Sequence, residues 1–256
     1  MNDPVLLGSV ETSVNEGIAT IVFAHPAHNS MPGAQLARLK EAIEAAGANP
    51  GIRVIILASG GDRTFCAGAS FDELAALEDF PAAHRFFLGF AHVINAMRRC
   101  PKFILAKVQG KAIGGGVGLA AAADYCAATS RADVKLSELA VGIGPFVVGP
   151  AVARKVGQAA FQQLAIDAES FQSADWALQK GLYQEVLPDI AALDEHLLAL
   201  ARRLAASSPQ AMRRLKEISW EDATHWDDLL YQRAAISGEL VLTEPARTAI
   251  ARFKGK

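Results

Sequence analysis

The chain has 256 residues, of which 51% are hydrophobic and 20% charged, with a formal net charge of −2 and a pI near 6.3. This composition is ordinary for a globular protein with a sizeable core, and it indicates neither a nucleic-acid partner nor an anionic membrane surface. The three cysteines contain no CxxC pair, so neither a disulfide framework nor a zinc site is expected.

Two features of the sequence indicate where in the cell the protein is located: its N-terminal residues and its longest apolar stretch. The sequence MNDPVLLGSVETSV carries acids and no basic segment followed by an apolar core, so we expect no signal peptide. Residues 112–123 form the longest apolar stretch, which is too short and too rich in glycine to span a bilayer. We therefore expect a soluble cytoplasmic protein.

Strands and a helix alternate in the first 60 residues. Residues 18–24 (IATIVFA) predict a strand with residues 5–14 as its hairpin partner. A helix follows, with Asn29 or Ser30 as its expected N-cap. Its apolar residues share one face: Leu36, Leu39 and Ile43. Residues 52–59 (IRVIILAS) give the strongest signal for a buried strand, and the order strand, helix, strand indicates crossover units rather than a meander.

Helices predominate further along the chain. Residues 72–79 predict an acidic helix and residues 81–99 a longer one with an apolar face. Residues 103–108 predict a buried strand, which leads into a glycine-rich segment and an alanine-rich helix. Two short strands are expected at 125–128 and 134–136, and helices then continue to residue 166. Beyond Pro188 all strong signals are helical: residues 191–206, 209–219, 222–240 and 244–253.

Two glycine-containing loops, residues 66–70 and 113–116, each end a strand region and open a helix. The first N–H groups of a helix have no partner inside it and lie at its positive end. Two such loops can direct two N–H groups at one carbonyl oxygen and stabilise an enolate formed from a thioester, by roughly 100- to 1000-fold per donor. Glu138 lies in a mostly apolar loop, where burial would raise its pKa towards that of a general base. A capping role for Glu138 is the alternative.

Other kinds of site have weaker signals. Residues 116–121 fit the relaxed GxGxxA pattern of a Rossmann unit, with Glu138 twenty residues after Gly118, but the strand at 125–128 does not fit that unit. No Gly-Lys-Ser/Thr or GxSxG sequence is present, which excludes a P-loop and a serine-hydrolase elbow. The histidines lack the spacing of metal ligands, and Cys66 is expected to be a small buried residue rather than a nucleophile.

Four segments carry a recognisable set of motifs in order: residues 64–74 (TFCAGASFDEL), 108–116 (VQGKAIGGG), 136–145 (LSELAVGIGP) and 173–182 (SADWALQKGL). They resemble the FCAGADIKEM-type loop, the NGxALGGG segment, the PEIxLGxxP loop and the SAEEALxxGL helix of the crotonase, or enoyl-CoA hydratase/isomerase, family. The sequence Ser207-Ser208-Pro209 and the helix after it fit the family's C-terminal part. The resemblance runs from about Pro26 to the end of the chain.

This resemblance implies an α/β fold, a crotonase-like spiral of ββα units in residues 1–188 that carries the site for a coenzyme A thioester. It implies a helical oligomerisation region in residues 189–256 that forms trimers, often paired into hexamers. Coenzyme A would enter as part of the substrate, and neither a separate cofactor nor a metal is expected.

The resemblance also assigns roles to single residues. The oxyanion donors would be the backbone N–H groups of Ala69 and Gly115, and Glu138 would be the catalytic carboxylate. The adenine end of the substrate would lie near Ser30 and Ala67. Further substrate contacts are expected in the two loops: Gly68, Ser70, Ile113 and Gly114. The expected acyl pocket is apolar: Phe71, Leu74, Phe146 and, with core packing equally expected, Leu77.

The departures from the family pattern bear on the reaction. Hydratases of this family carry two glutamates, of which the first falls at Gly118 here and the second at Glu138. The mitochondrial-type Δ3,Δ2-enoyl-CoA isomerases similarly keep only the second glutamate and follow the loop's proline with Phe, as in Pro145-Phe146. We therefore expect an isomerase that transfers a proton with one glutamate.

Three alternatives remain. One is a hydratase, which is a lyase and would need a second carboxylate recruited from Glu73 or Glu78. Another is a non-catalytic protein that binds acyl-CoA and releases it unchanged. A Rossmann oxidoreductase is the least favoured. Two further departures are Ser70, where the family usually has Asp or Asn, and the bulky Phe146-Val147-Val148, where hydratases typically have small residues.

Overall fold

The computed structural model describes residues 8–254, and its strands form two sheets. The larger sheet has, in spatial order, β1 (Ser9–Asn15), β2 (Ile18–Ala24), β3 (Val54–Ser59), β5 (Ile104–Val108), β7 (Tyr125–Thr129) and β9 (Glu185–Leu187). The smaller has β4 (Thr64–Cys66), β6 (Lys111–Ile113) and β8 (Val134–Lys135). β1 and β2 form an antiparallel hairpin, and all other neighbouring strands are parallel.

Helices connect and cover the strands. Those before Pro188 are α1 (Gly33–Ala48), α2 (Phe71–Ala75), α3 (Phe80–Arg99), α4 (Gly115–Ala122), α5 (Gly149–Val156), α6 (Gln158–Ile166) and α7 (Ala174–Gln179). Those after it are α8 (Ile190–Ala205), α9 (Pro209–Ser219), α10 (Trp226–Val241) and α11 (Glu244–Lys254). The regular elements after Pro188 are all helical in the described part, as predicted.

The chain repeats a unit of two strands and a helix. In each turn one strand joins the larger sheet and the next joins the smaller sheet, as in β3–β4, β5–β6 and β7–β8. Each loop that leaves the smaller sheet therefore lies beside the corresponding loop of the next turn. This is the α/β spiral of ββα units that the family resemblance implied, and it brings residues 66–70 and 113–116 together.

The C-terminal helices pack on this spiral. α8 lies against the larger sheet through buried Leu193 and Leu197, α10 packs along α3, and α11 contacts α2 and the short 3-10 turn Leu139–Val141. These helices contact the core closely, and the domain boundary at Pro188 stays a prediction. The trimer or hexamer likewise stays a prediction.

The prediction that Asn29 or Ser30 caps α1 is wrong. An N-cap residue needs extended backbone angles, whereas Asn29 has a left-handed φ of 57°, and the N-cap is Pro32. The Asn29 amide instead donates to the carbonyl oxygens of Gly60 and Thr64. Through these two hydrogen bonds, the turn before α1 is joined to the end of β3 and to the start of β4.

The predicted acidic helix is shorter than expected. α2 ends at Ala75, and Asp79, instead of continuing α2, caps α3 by accepting a hydrogen bond from the N–H of Ala82. Residues 5–7 of the predicted hairpin lie outside the described residues, and the hairpin runs from Ser9. None of the described helices is both long and apolar enough to cross a membrane. The cytoplasmic location stays a prediction.

Candidate active site

A cavity of about 50 Å³ lies where the two glycine-containing loops meet. Eight of the residues predicted for the site line it: Ala67, Gly68, Ala69, Phe71, Leu74, Gly114, Gly115 and Glu138. Ten further residues complete the wall: Phe87, Phe90, Ser137, Val141, Ile143, Gly144, Pro145, Val147, Val148 and Ser237. Most of this lining is apolar, so a charge inside the cavity has little water around it and interacts strongly with nearby dipoles.

The backbone N–H groups of Ala69 and Gly115 border this cavity and donate to no acceptor in the described chain. The N–H of Met31 bonds to the carbonyl of Gly68 and the N–H of Ser70 to the carbonyl of Met31, and this parallel bridge leaves the N–H of Ala69 free. Gly115 is the first residue of α4, where no intrahelical acceptor exists. Two unpaired donors therefore border one apolar space.

Gly68 allows the two loops to approach each other. Its φ is +86°, a left-handed conformation that side chains rarely adopt. A Cβ atom added there would lie 2.9 Å from the carbonyl oxygen of Ile113 and 3.4 Å from the nitrogen of Gly115. Only a residue without a side chain permits this contact, which keeps the two donors on neighbouring loops.

Glu138 follows β8 and places its carboxyl group over the second loop. Its Oε1 atom is 3.0 Å from the position that a Cβ of Gly114 would occupy, and Oε2 is buried without a hydrogen-bond partner among the described residues. Burial raises the pKa of Glu138 to about 7, and a hydrogen bond from its own backbone N–H opposes this shift only in part. The side chain makes no capping hydrogen bond to the following turn, contrary to the alternative of a structural cap.

Gly118 stands where the first glutamate of a hydratase would fall, and the structure has no space for a side chain there. A Cβ atom added at Gly118 would lie 2.4 Å from Cγ1 of Val148. Val148 is 4% exposed and lines the cavity, so a branched aliphatic side chain occupies this part of the wall. The glycine at position 118 and the bulky Val148 are thus two parts of one packing arrangement.

We expect Gly118→Ala to destabilise the protein by about 1–3 kcal/mol, because a methyl group must displace Val148 in a closely packed wall. The double variant Gly118→Ala/Val148→Ala should recover most of this loss, since it removes the atoms with which the methyl group collides. Urea unfolding of the two single variants and the double variant measures the coupling. Simple additivity of the two single effects would contradict the packing described.

Neither carboxylate suggested as a second acid lines the cavity. The Oε2 atom of Glu73 accepts a hydrogen bond of 2.7 Å from the N–H of Gly33 at the start of α1, and Glu78 is exposed. Among the described residues that line the cavity, Glu138 is the one carboxylate. A second carboxylate is therefore absent from the described wall.

Phe146, predicted to lie in the acyl pocket, does not line this cavity. Its ring packs over Gly144 and faces a separate groove beside α5 and α6, because the backbone turns at Pro145 before α5 begins. Leu77 also lies outside the cavity. The apolar wall is supplied instead by residues that the sequence reasoning did not assign to the site, above all Phe87 and Phe90 of α3.

Three predicted substrate contacts lie outside the cavity wall. The Ser70 hydroxyl accepts from the N–H of Glu73 and caps α2, and the Ser30 hydroxyl hydrogen-bonds Nδ1 of His25. Ile113 contributes its backbone to the loop contact with Gly68. Contacts of these residues with the coenzyme stay predictions.

The two other chemistries considered for these loops do not fit. Cys66 is fully buried, and burial raises the pKa of its thiol to about 12, so the thiolate is absent at neutral pH. Gly116 packs against the carbonyl oxygen of Cys66, at 2.5 Å from an added Cβ, and Gly118 packs against Val148. These contacts leave no room for the pyrophosphate that a Rossmann glycine loop binds.

Comparisons with known proteins agree with the geometry. A family model described as enoyl-CoA hydratase/isomerase matches residues 13–250. A probable enoyl-CoA hydratase of Bacillus subtilis is 28% identical over 252 residues, covering 98% of this chain and 97% of its own. The peroxisomal Delta(3,5)-Delta(2,4)-dienoyl-CoA isomerase of Arabidopsis thaliana is 25% identical, covering 82% and 79%. The solved structure of enoyl-CoA hydratase from Bacillus halodurans has a TM-score of 0.88 at 21% identity, covering 95% of this chain and 99% of that one.

Proposed function

The chain belongs to the enoyl-CoA hydratase/isomerase family, and we propose that within it the protein is an enoyl-CoA isomerase that moves a double bond by a 1,3-proton transfer. The observation that carries this proposal is the single carboxylate, Glu138, among the described residues of a cavity whose other acid position is Gly118 packed against Val148. Hydration needs water activated at one carbon and a proton delivered to its neighbour, a task that two carboxylates share. Isomerisation needs one base that takes a proton and returns it elsewhere.

The proposed mechanism uses three groups of this chain. The thioester oxygen accepts hydrogen bonds from the N–H groups of Ala69 and Gly115, and the Glu138 carboxylate removes a proton from C2 of a 3-enoyl-CoA. The electron pair of the broken C–H bond passes into the thioester, and the resulting dienolate carries its charge on the oxygen. The protonated Glu138 then gives the proton to C4, the double bond lies between C2 and C3, and the carboxylate is restored.

The lining of the cavity supports a hydrocarbon acyl group. Apolar side chains such as Phe71, Leu74 and Phe87 line it, so hydrocarbon is favoured near the reacting carbons. Coenzyme A remains part of the substrate, with its adenine end proposed near Ser30 and Ala67 and no further cofactor. A homotrimer or a dimer of trimers is part of the same proposal.

A pair of absorbance assays tests this function. Isomerisation of 3-butenoyl-CoA should produce the absorbance of a conjugated thioester, while crotonyl-CoA should keep it. Loss of absorbance with crotonyl-CoA would instead identify a hydratase that takes its second acid from elsewhere. If the absorbance changes in neither assay and the protein still binds butanoyl-CoA, the non-catalytic alternative is identified.

The rate of isomerisation should depend on pH through Glu138. Only the carboxylate accepts a proton, so with a pKa of about 7 the active fraction rises tenfold per pH unit below that value and levels off above it. We therefore expect kcat/KM for 3-butenoyl-CoA to increase from pH 5.5 and to reach a plateau above pH 7. Stopped-flow measurements from pH 5.5 to 8.5 check this, and a flat profile would contradict the raised pKa.

A further inference from the structure

Ser237, in α10, is a polar residue of the cavity wall that the proposed mechanism does not use. The residue is 1% exposed, and its hydroxyl oxygen is buried without a hydrogen-bond partner among the described residues. Its neighbour Gly238 packs directly on α3, where an added Cβ would lie 3.0 Å from the nitrogen of His84. This close helix contact places Ser237 beside the stretch of α3 that carries Phe87 and Phe90.

An unpaired buried hydroxyl is unusual in a folded protein. Buried polar groups are nearly always hydrogen-bonded, and a serine inside a helix commonly bonds to the carbonyl one turn earlier. The Ser237 hydroxyl makes no such hydrogen bond, to the helix or to any other described residue. Apart from Ser137 and Glu138, which are adjacent on the catalytic loop, it is the one polar side chain of the described cavity wall. The hydroxyl therefore has a hydrogen-bonding capacity that no described residue of the wall uses.

We propose that Ser237 determines specificity by hydrogen-bonding an oxygen function, a keto or hydroxyl group, on the acyl part of the substrate. The inference rests on the proposed binding of an acyl-CoA in this cavity. Since Ser237 and Glu138 line the same cavity, the oxygen lies within a few carbons of the carbon from which Glu138 takes the proton. A hydroxyl can donate to a keto oxygen or exchange hydrogen bonds with an alcohol, whereas a pure hydrocarbon leaves it unpaired.

Binding of saturated acyl-CoA probes tests this proposal without requiring turnover. Calorimetry compares 4-oxopentanoyl-CoA with 4-methylpentanoyl-CoA, and 5-oxohexanoyl-CoA with 5-methylhexanoyl-CoA, so that each pair differs by an oxygen in place of a methyl group. In one of the pairs, Ser237→Ala should lower the preference for the oxo compound about tenfold and change the affinity for the methyl compound less than twofold. Ser219→Ala, on α9 and outside the cavity wall, is the matched control and should leave both ratios unchanged.

The outcomes separate the proposal from the function on which it rests. Equal effects of Ser237→Ala on both members of each pair would overturn the specificity role while leaving acyl-CoA binding intact. Failure of all four probes to bind would overturn the acyl-CoA site itself and the inference with it. A purely structural role predicts a lower Tm for Ser237→Ala, whereas the proposal predicts an equal or higher Tm because the unpaired hydroxyl has no bond to lose.

Discussion

Glu138→Gln is expected to lower kcat for isomerisation of 3-butenoyl-CoA by about 100- to 10,000-fold, the range typical for loss of a positioned proton-transfer group. Glutamine has nearly the same shape as glutamate but cannot accept a proton from C2. The buried Oε2 atom has no hydrogen-bond partner among the described residues, so the substitution breaks no contact in the wall. Binding of butanoyl-CoA should therefore stay within a few-fold of the wild-type affinity.

Stability measurements show whether such a loss comes from unfolding. Burial holds the pKa of Glu138 near 7, above the ordinary 4.5, so the folded state binds the proton more tightly than the unfolded state. The stability supplied by the protonated form is present below about pH 4.5 and is lost as the pH rises through 7. Glu138→Gln should therefore raise the Tm relative to wild type more at pH 8 than at pH 5.

Glu73→Gln is the matched control, because this carboxyl group binds the N–H of Gly33 outside the cavity. It should keep kcat within a few-fold of wild type even where it lowers the Tm. An equal loss of kcat in both variants, or more than a tenth of wild-type activity in Glu138→Gln, would contradict the mechanism with one carboxylate.

Most of the larger sheet was predictable because its strands carry strong local signals, whereas the three-residue strand β9 was missed. The apolar runs at 52–59 and 103–108 each contain a buried parallel strand. In the smaller sheet, β8 matches the strand expected at 134–136, but Thr64–Cys66 and Lys111–Ile113 had little local signal, since they have three residues each and pair across a long sequence separation. Strands this short show no periodicity, and only the fold as a whole brings them into register.

The residues of the cavity likewise include some that could be predicted from the sequence and some that could not. The two glycine-containing loops and Glu138 could be singled out because each belongs to a contiguous segment with its own composition, and the family resemblance then assigned the donor roles to Ala69 and Gly115 within those loops. Phe87 and Ser237 were missed, because they belong to helices whose cavity-facing positions depend on how α3 and α10 pack. Phe146 faces a neighbouring groove rather than this cavity, since the direction of a loop side chain depends on backbone angles that the sequence does not specify.

Ala69→Pro is expected to lower kcat about 100- to 1000-fold, because proline has no N–H and one of the two proposed oxyanion donors disappears. The N–H of Ala69 donates to no acceptor in the described chain, so this change removes no hydrogen bond of the native fold. The flanking bonds, from Met31 to Gly68 and from Ser70 to Met31, do not involve the substituted nitrogen. The effect should therefore fall on the enolate rather than on the loop.

Ala69→Gly separates the donor from the side chain, because glycine removes the methyl group and keeps the N–H. It should retain kcat within about tenfold of wild type, while Ala69→Pro loses far more at a similar Tm. Ala69→Gly should bind butanoyl-CoA, since the donors contribute most when negative charge develops on the thioester oxygen, whereas the ring of Ala69→Pro also crowds the position of that oxygen. A folded Ala69→Pro variant with more than a tenth of wild-type kcat would show that the Ala69 N–H is not an oxyanion donor.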